Sequence, residues 1–364
     1  MSEHGDLAVP WLAPLASALA QDKRAVLVVV ASVQGSAPRE TGAAMVISAT
    51  TCAGSIGGGH LEFEAMRIAR DALREAPSGT WIVRFPLAAR LGQCCGGVAT
   101  LAFSTIDQRA RAWLDTAVAC ARTGEAFARV SAIDLQRAGA HLVVTADDVR
   151  GTLGATALDS AAIALARARL AGAASGAALV GHASDNGTTL LVQIERPDPF
   201  PVLLFGNGHV GRALVGVLGV LPAQVRWIDP RQADFPSAVP ANVDKIVSET
   251  PEDELSDAPP GAFVVVTTHS HALDFTLIET ALARSDWRYV GLIGSKSKRT
   301  QFERRLASRG IAPDAFSSVH CPIGIAGAAI KAKHPGAIAV AIAAELLVVR
   351  EATARASALH LASR

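Results

Sequence analysis

Trp11, Leu12, Leu15 and Leu19 recur at helical spacing, and the β-branched run at 26–33 that follows is short enough for a buried strand. A turn at Gly35-Ser-Ala-Pro-Arg-Glu-Thr-Gly42 then leads to a strand over 43–48, the loop Gly54-Ser-Ile-Gly-Gly-Gly59 and a helix over 60–75. Strands over 80–85 and 98–104 flank Gly92-Gln-Cys-Cys-Gly-Gly97, where the density of glycine puts both sulfurs on a loop. A helix over 109–123 precedes short strands over 126–133, 141–145, 177–182 and 188–194, and the Ala-rich stretch 161–178 reads as helix and loop.

Glu195-Arg-Pro-Asp-Pro-Phe-Pro201 packs prolines that restrict both their own backbone and that of their predecessors. This places a boundary between a domain at 1–196 and one at 201–364. Beyond it, apolar strands at 202–205, 225–229, 263–267 and 289–293 are interleaved with helical segments such as 209–220. Continuous apolar strands separated by helices indicate a parallel sheet covered on both faces. The last helix, at about 337–355, is expected to pack on that sheet.

A chain of 364 residues suits two domains, and 50% hydrophobic with 18% charged residues excludes long disorder. Lys+Arg 34 against Asp+Glu 33 leaves a net charge of +1, without the basic footprint that nucleic-acid binding requires. Five cysteines, an odd number, fit a reducing compartment better than a disulfide framework. No apolar run is long enough to suggest a membrane span, and no Lys or Arg precedes the first apolar stretch as in a secretory signal. A cytoplasmic protein is the resulting expectation.

Gly206-Asn-Gly-His-Val-Gly211 follows a strand and opens a helix at His209, the context that a dinucleotide fingerprint needs. Asp229 ends the next strand, where a ribose-binding carboxylate would sit, with Arg231 nearby to suit an extra phosphate. The same glycines would also serve close strand-to-helix packing in a sheet that binds nothing. His269 and His271 follow another strand and face the same crevice as substrate or anion contacts, metal ligands or plain loop residues. Lys296, Lys298 and Arg299 offer cations at a third strand end, suited either to phosphate or to solvent.

In the first domain, Gly57, Gly58 and Gly59 could form an anion nest, or simply a turn ahead of the helix bearing Glu62 and Glu64. Cys94 and Cys95 are adjacent on a glycine loop, which favours sulfur chemistry or soft-metal ligation over burial. No Cys-x-x-Cys pair supports a thioredoxin or four-cysteine zinc motif. Cys52, Cys120 and Cys321 read as buried small hydrophobes.

These motifs together resemble the XdhC family, the xanthine dehydrogenase accessory proteins. The marks are 35–42, 54–62, 92–97, 205–211, Thr268-His-Ser-His-Ala-Leu-Asp274 and Gly291-Leu-Ile-Gly-Ser-Lys-Ser-Lys298. The resemblance implies an α/β protein: an N-terminal mixed α/β XdhC/CoxI-type domain followed by a Rossmann-like parallel-sheet domain. It also implies a chaperone for molybdenum cofactor (molybdopterin), which supports sulfuration by a cysteine desulfurase and insertion into apo xanthine dehydrogenase. Self-association as a dimer is expected on the same basis. Gln93, Cys94 and Cys95 would then contact the cofactor, with Cys94 and Cys95 reaching molybdenum. Either Gly57–Gly59 or the Gly206, Gly208, His209, Gly211 loop, with Asp229, His269, His271 and Lys296, would take its anionic part. Wider relatives keep mainly the Cys-Gly-Gly half of the cysteine motif, which favours Cys95, and alanine is commoner than Asn207 in the glycine loop. The rival reading is an NAD(P)-dependent oxidoreductase; a redox or metal sensor is a third.

Overall fold

The structure is a computed structural model that describes residues 8–75, 79–87, 96–135, 137, 139–181, 188–232, 235–312, 315–324 and 333–362, with side chains to 352. Gln93, Cys94 and Cys95 lie outside these residues. The chain divides into two compact units between Asp198 and Pro199.

The first unit contains two five-stranded antiparallel sheets. In one, β1 (Arg24–Gln34) lies between β2 (Ala44–Ile47) and β5 (Val98–Asp107), with β3 (Cys52–Gly54) and β4 (Thr80–Pro86) at the edges. Because side chains alternate along a strand, Val26, Val28 and Val30 face one core while Leu27, Val29 and Ala31 face another. Helix α2 (Gly59–Glu75) covers the first core through Leu61, Ala65 and Ala69. The second core holds α1 (Leu12–Asp22) and α3 (Arg111–Thr123), and it is shared with the other sheet. Burial on both faces explains why β1 reads as an uninterrupted apolar run, with each buried aliphatic side chain contributing about 1.5–3 kcal/mol.

That other sheet runs β8 (Val149–Thr152), β7 (His141–Val144), β6 (Phe127–Ala132), β10 (Thr189–Glu195) and β9 (Gly176–Gly181), and α4 (Thr156–Leu170) covers its far face. The short strands β3 and β8 are not apparent from periodicity, because three or four residues carry too little alternation to register. Cys52 sits on the edge strand β3 and is exposed, which corrects the expectation of burial; Cys120 and Cys321 are buried.

The second unit is one parallel sheet of β11 (Phe200–Phe205), β12 (Ala223–Asp229), β13 (Val243–Val247), β14 (Phe263–Val266), β15 (Tyr289–Leu292) and β16 (Val319–His320). The spatial order is β13-β12-β11-β14-β15-β16, the arrangement of a Rossmann sheet, with its switch point between β11 and β14. Leu203 and Phe205 pack against α6 (His271–Leu282) and α7 (Lys296–Ser308) on one face. Val202 and Leu204 pack against α5 (His209–Leu218) and α8 (Pro335–Ala362) on the other, so the closing helix covers the sheet as its sequence leads one to expect. Among the described residues no helix is long and apolar enough to cross a membrane.

Candidate functional site

Three loops of the first unit meet at one end of its first sheet. The amide of Gly97 donates to Ser36 O at 3.1 Å, and its carbonyl accepts from Leu87 N at 3.0 Å. A side chain at Gly97 would strike Ser36 O at 2.3 Å, so the close approach of these loops demands glycine there. A Cβ on Gly57 would meet Pro38 Cγ at 2.5 Å, which brings the second loop against the same turn. Thus the turn at 35–42, the glycine loop at 54–59 and the end of the cysteine motif at Gly96 and Gly97 are neighbours. A Cβ at Gly58 or Gly96 would meet nothing within 4 Å among the described residues.

The glycine loop does not offer free amides at Gly57 and Gly58, which corrects the reading of these residues as a vacant anion nest. Glu62 Oε1 accepts from Ile56 N at 2.9 Å, Gly57 N at 3.2 Å, Gly58 N at 2.8 Å and Ser55 Oγ at 2.6 Å. Burial alone would push this carboxyl up, but the four hydrogen bonds together hold its pKa below the ordinary value. Beside the loop, the rings of His60 and Phe63 stack at 5.9 Å, and Phe63 is 58% exposed.

In the second unit the three strand-end motifs also converge. Thr267 donates its amide and its hydroxyl to Phe205 O at 2.8 and 3.0 Å, which ties the ends of β11 and β14. A Cβ on Gly211 would lie 2.1 Å from Gly206 O, so α5 can pack this closely on the strand only with glycine at that position. A Cβ on Gly208, by contrast, would meet nothing within 4 Å. Thr268 Oγ1 donates to Asp274 Oδ1 at 2.6 Å, and Lys298 Nζ donates to the other Asp274 oxygen and to Ile293 O. Lys298 is therefore a buried structural cation rather than a solvent-facing one, and Arg299 is engaged by Glu303 and the carbonyls of Val319 and Cys321. His209, His269, His271 and Lys296 remain exposed around the crevice. Among the described residues no group of three or more His, Cys, Asp or Glu side chains could hold a metal ion.

Asp229 is 2% exposed, and both its oxygens are engaged. Oδ2 accepts from Asn207 N at 2.7 Å and Arg231 Nη2 at 2.9 Å; Oδ1 accepts from Arg231 N and Nε, each at 2.9 Å. Burial would raise its pKa, yet the hydrogen bonds from Arg231 and Asn207 outweigh it and leave the carboxyl below the ordinary value. The expected ribose-binding carboxylate is therefore spent on holding the glycine loop. Asn207 is buried too: its Oδ1 accepts from Arg212 Nε at 3.1 Å, and its Nδ2 has no hydrogen-bond partner among the described residues. Ser270 and Ser295 cap α6 and α7 by accepting from Leu273 N and Lys298 N, whereas α5 has no side-chain cap among the described residues. Amides at the start of α5 are thus the ones left for an anion.

The roles of Glu62 and of the Asp274–Lys298 pair are not foreseen from sequence, although all three residues stand inside the glycine-loop and strand-end motifs. Spacing can show that a carboxylate begins a helix, but not that it turns back on the preceding loop.

Comparison with known proteins gives concordant matches. Residues 202–346 match the XdhC Rossmann domain, and residues 18–86 match the XdhC and CoxI family. A probable xanthine dehydrogenase subunit of Bacillus subtilis (strain 168) is 26% identical over 344 residues, 92% of this chain and 96% of that protein. The uncharacterized protein YqeB of Escherichia coli (strain K12) is 29% identical over 184 residues, 49% of this chain but only 32% of YqeB's length. Among solved structures, a xanthine dehydrogenase from Bacillus halodurans shares the fold with a TM-score of 0.63 at 20% identity, covering 97% of this chain and 96% of that one.

Proposed function

This chain belongs to the XdhC family, and from that premise we propose that it serves a xanthine dehydrogenase as an accessory protein that carries molybdenum cofactor during the enzyme's maturation. The cofactor is cargo here: a pterin whose dithiolene binds molybdenum and whose far end bears a phosphate. A carrier needs soft donors for the metal and amides for the phosphate. The convergence of the three N-terminal loops carries this reading, because Gly96, the residue after the cysteine pair, belongs to the same cluster as the Gly58 opening. Cys94 and Cys95 would supply the thiolates, with Gln93 beside them.

The second unit offers a separate anion position at the start of α5, where Gly208 is open and, among the described residues, no side chain caps the helix. Sulfuration in company with a cysteine desulfurase, insertion into the apoenzyme, self-association as a dimer and a cytoplasmic setting belong to the same proposal. The chain acts as a carrier, and the chemistry of the delivered metal is expressed in the target enzyme. A dinucleotide fits less well, since Asp229 has no free oxygen for a ribose hydroxyl.

The test is anaerobic incubation of purified protein with molybdenum cofactor, followed by measurement of bound molybdenum and pterin for wild type, Cys94→Ser and Cys95→Ser. Stoichiometric binding by wild type, lost in a folded cysteine variant, is expected. Absence of binding in wild type, together with saturable binding of NADH or NADPH, would overturn the proposal in favour of an oxidoreductase.

A further inference from the structure

The parallel-sheet unit has a second concavity at the opposite ends of its strands from the Gly206 crevice. Around Tyr289, which opens β15, lies a cavity of about 330 Å³ whose aromatic and charged lining comes from Arg284, Trp287, Arg288, Tyr289 and His320. That volume suits a ligand of about one ring, at the lower end of the ~300–1,000 Å³ usual for small-molecule sites.

The wall of this cavity is held in place from behind. Glu345 reaches in from α8, is buried, and accepts the Tyr289 hydroxyl at 3.0 Å on the same oxygen that stands 2.7 Å from His320 Nδ1. The Tyr289 and His320 rings lie 4.5 Å apart. Because Nδ1 is directed at Glu345, His320 has Nε2 as its remaining polar atom, with no partner among the described residues. Arg284 is fixed too: it donates to Leu255 O at 2.7 Å and Asp286 Oδ2 at 2.8 Å, and its guanidinium lies 4.2 Å from the centre of the Trp287 ring.

Arg288 differs from Arg284 in being exposed and in having no ion pair among the described residues. Of the acidic groups beside the cavity, Asp286 is paired with Arg284, and Glu345 is engaged by Tyr289 and His320. The cavity therefore combines immobilised rings with a cation and an imidazole nitrogen that are not otherwise engaged.

We propose that this cavity is a binding site for a small aromatic carboxylate, its ring against Trp287 and Tyr289 and its carboxylate on Arg288, with His320 Nε2–H as a second donor when the ring is an imidazolium balanced by Glu345. An ammonium or amidinium ligand would meet the cations of the rim and be rejected. The site is independent of the cofactor reading, since it involves none of the residues assigned to that role.

Calorimetric titration of the full chain with benzoate tests it, with benzamidine as a ring of opposite charge. Arg288→Gln and His320→Gln are made at solvent-accessible positions, and Arg304→Gln on the surface of α7 serves as a control for net charge. Saturable benzoate binding is expected, about tenfold weaker in Arg288→Gln, several-fold weaker in His320→Gln, unchanged in Arg304→Gln, and at least about tenfold stronger than benzamidine. The proposal is overturned if wild type shows no saturable benzoate binding, if benzamidine binds as well, or if Arg288→Gln binds benzoate like wild type.

Discussion

Glu62 accepts the amide hydrogen of Gly58 at 2.8 Å, so a loop with the sequence of an anion nest carries its anion within the chain. The same oxygen also serves Ile56, Gly57 and Ser55, which makes one carboxylate the organiser of the turn before α2. Because that turn abuts Pro38, the loop cluster that includes Gly97 depends on Glu62 indirectly.

Replacing Glu62 by Gln removes the charge from these hydrogen bonds and is expected to destabilise the first unit by about 2 kcal/mol in urea unfolding. The sign of the pH effect follows from the lowered carboxyl pKa. This contribution is fully present above the unfolded value of 4.5 and is lost as pH falls through the lower folded value. A variant with wild-type stability across this range would show that the turn does not rely on the carboxylate.

Asp274 and Lys298 form a buried pair that ties α6 to α7 at the strand ends. Removal of one partner leaves a buried charge uncompensated, so Lys298→Met should cost about 3–5 kcal/mol. The double variant Lys298→Met, Asp274→Leu should recover part of that loss. Chemical denaturation of the single and double variants measures the coupling; additive losses would contradict it.

Gly211→Ala and Gly208→Ala should separate packing from binding in the Gly206 crevice. A methyl group at Gly211 would meet Gly206 O at 2.1 Å, and this variant is expected to lose about 2 kcal/mol or more. At Gly208 the methyl finds open space among the described residues, so stability should change by less than about 1 kcal/mol while binding of inorganic phosphate in this crevice weakens. Equal thermal shifts for the two variants would refute the distinction.

His141 lies on β7 with its Nδ1 2.7 Å from Ser131 Oγ, and burial first, then the neighbouring Arg129, depress its pKa from 6.5 to about 3. The unfolded chain binds this proton at a pH where the folded chain refuses it. Stability should therefore fall with pH between 6.5 and about 3, by roughly 1.4 kcal/mol per unit for one proton. Glu195, whose pKa burial raises, acts in the opposite sense above 4.5, so the difference between wild type and His141→Gln isolates the histidine. Parallel stability–pH curves for the two proteins would rule this assignment out.

Much of the architecture is legible from local pattern. The β-branched run of β1, the proline cluster before Phe200 and the strand-helix alternation after it are properties of consecutive residues, and they mark out a mixed unit followed by a parallel one. Strands β3, β8 and β13 escape because short edge strands carry little alternation and draw their stability from one neighbour. The exposure of Cys52 follows from its place at such an edge.

By itself the sequence determined which residues could carry chemistry and in what order, since glycine turns, a vicinal cysteine pair and strand-end motifs are written in adjacent positions. It could not say which of those groups were already engaged. Asp229, Lys298 and the Gly57–Gly58 amides each read as open to a ligand, yet each is satisfied by a partner within the chain, at a separation of between 2 and 24 residues. Only the tertiary structure decided this, because a buried charge must find its hydrogen bonds wherever packing brings a donor or acceptor within reach.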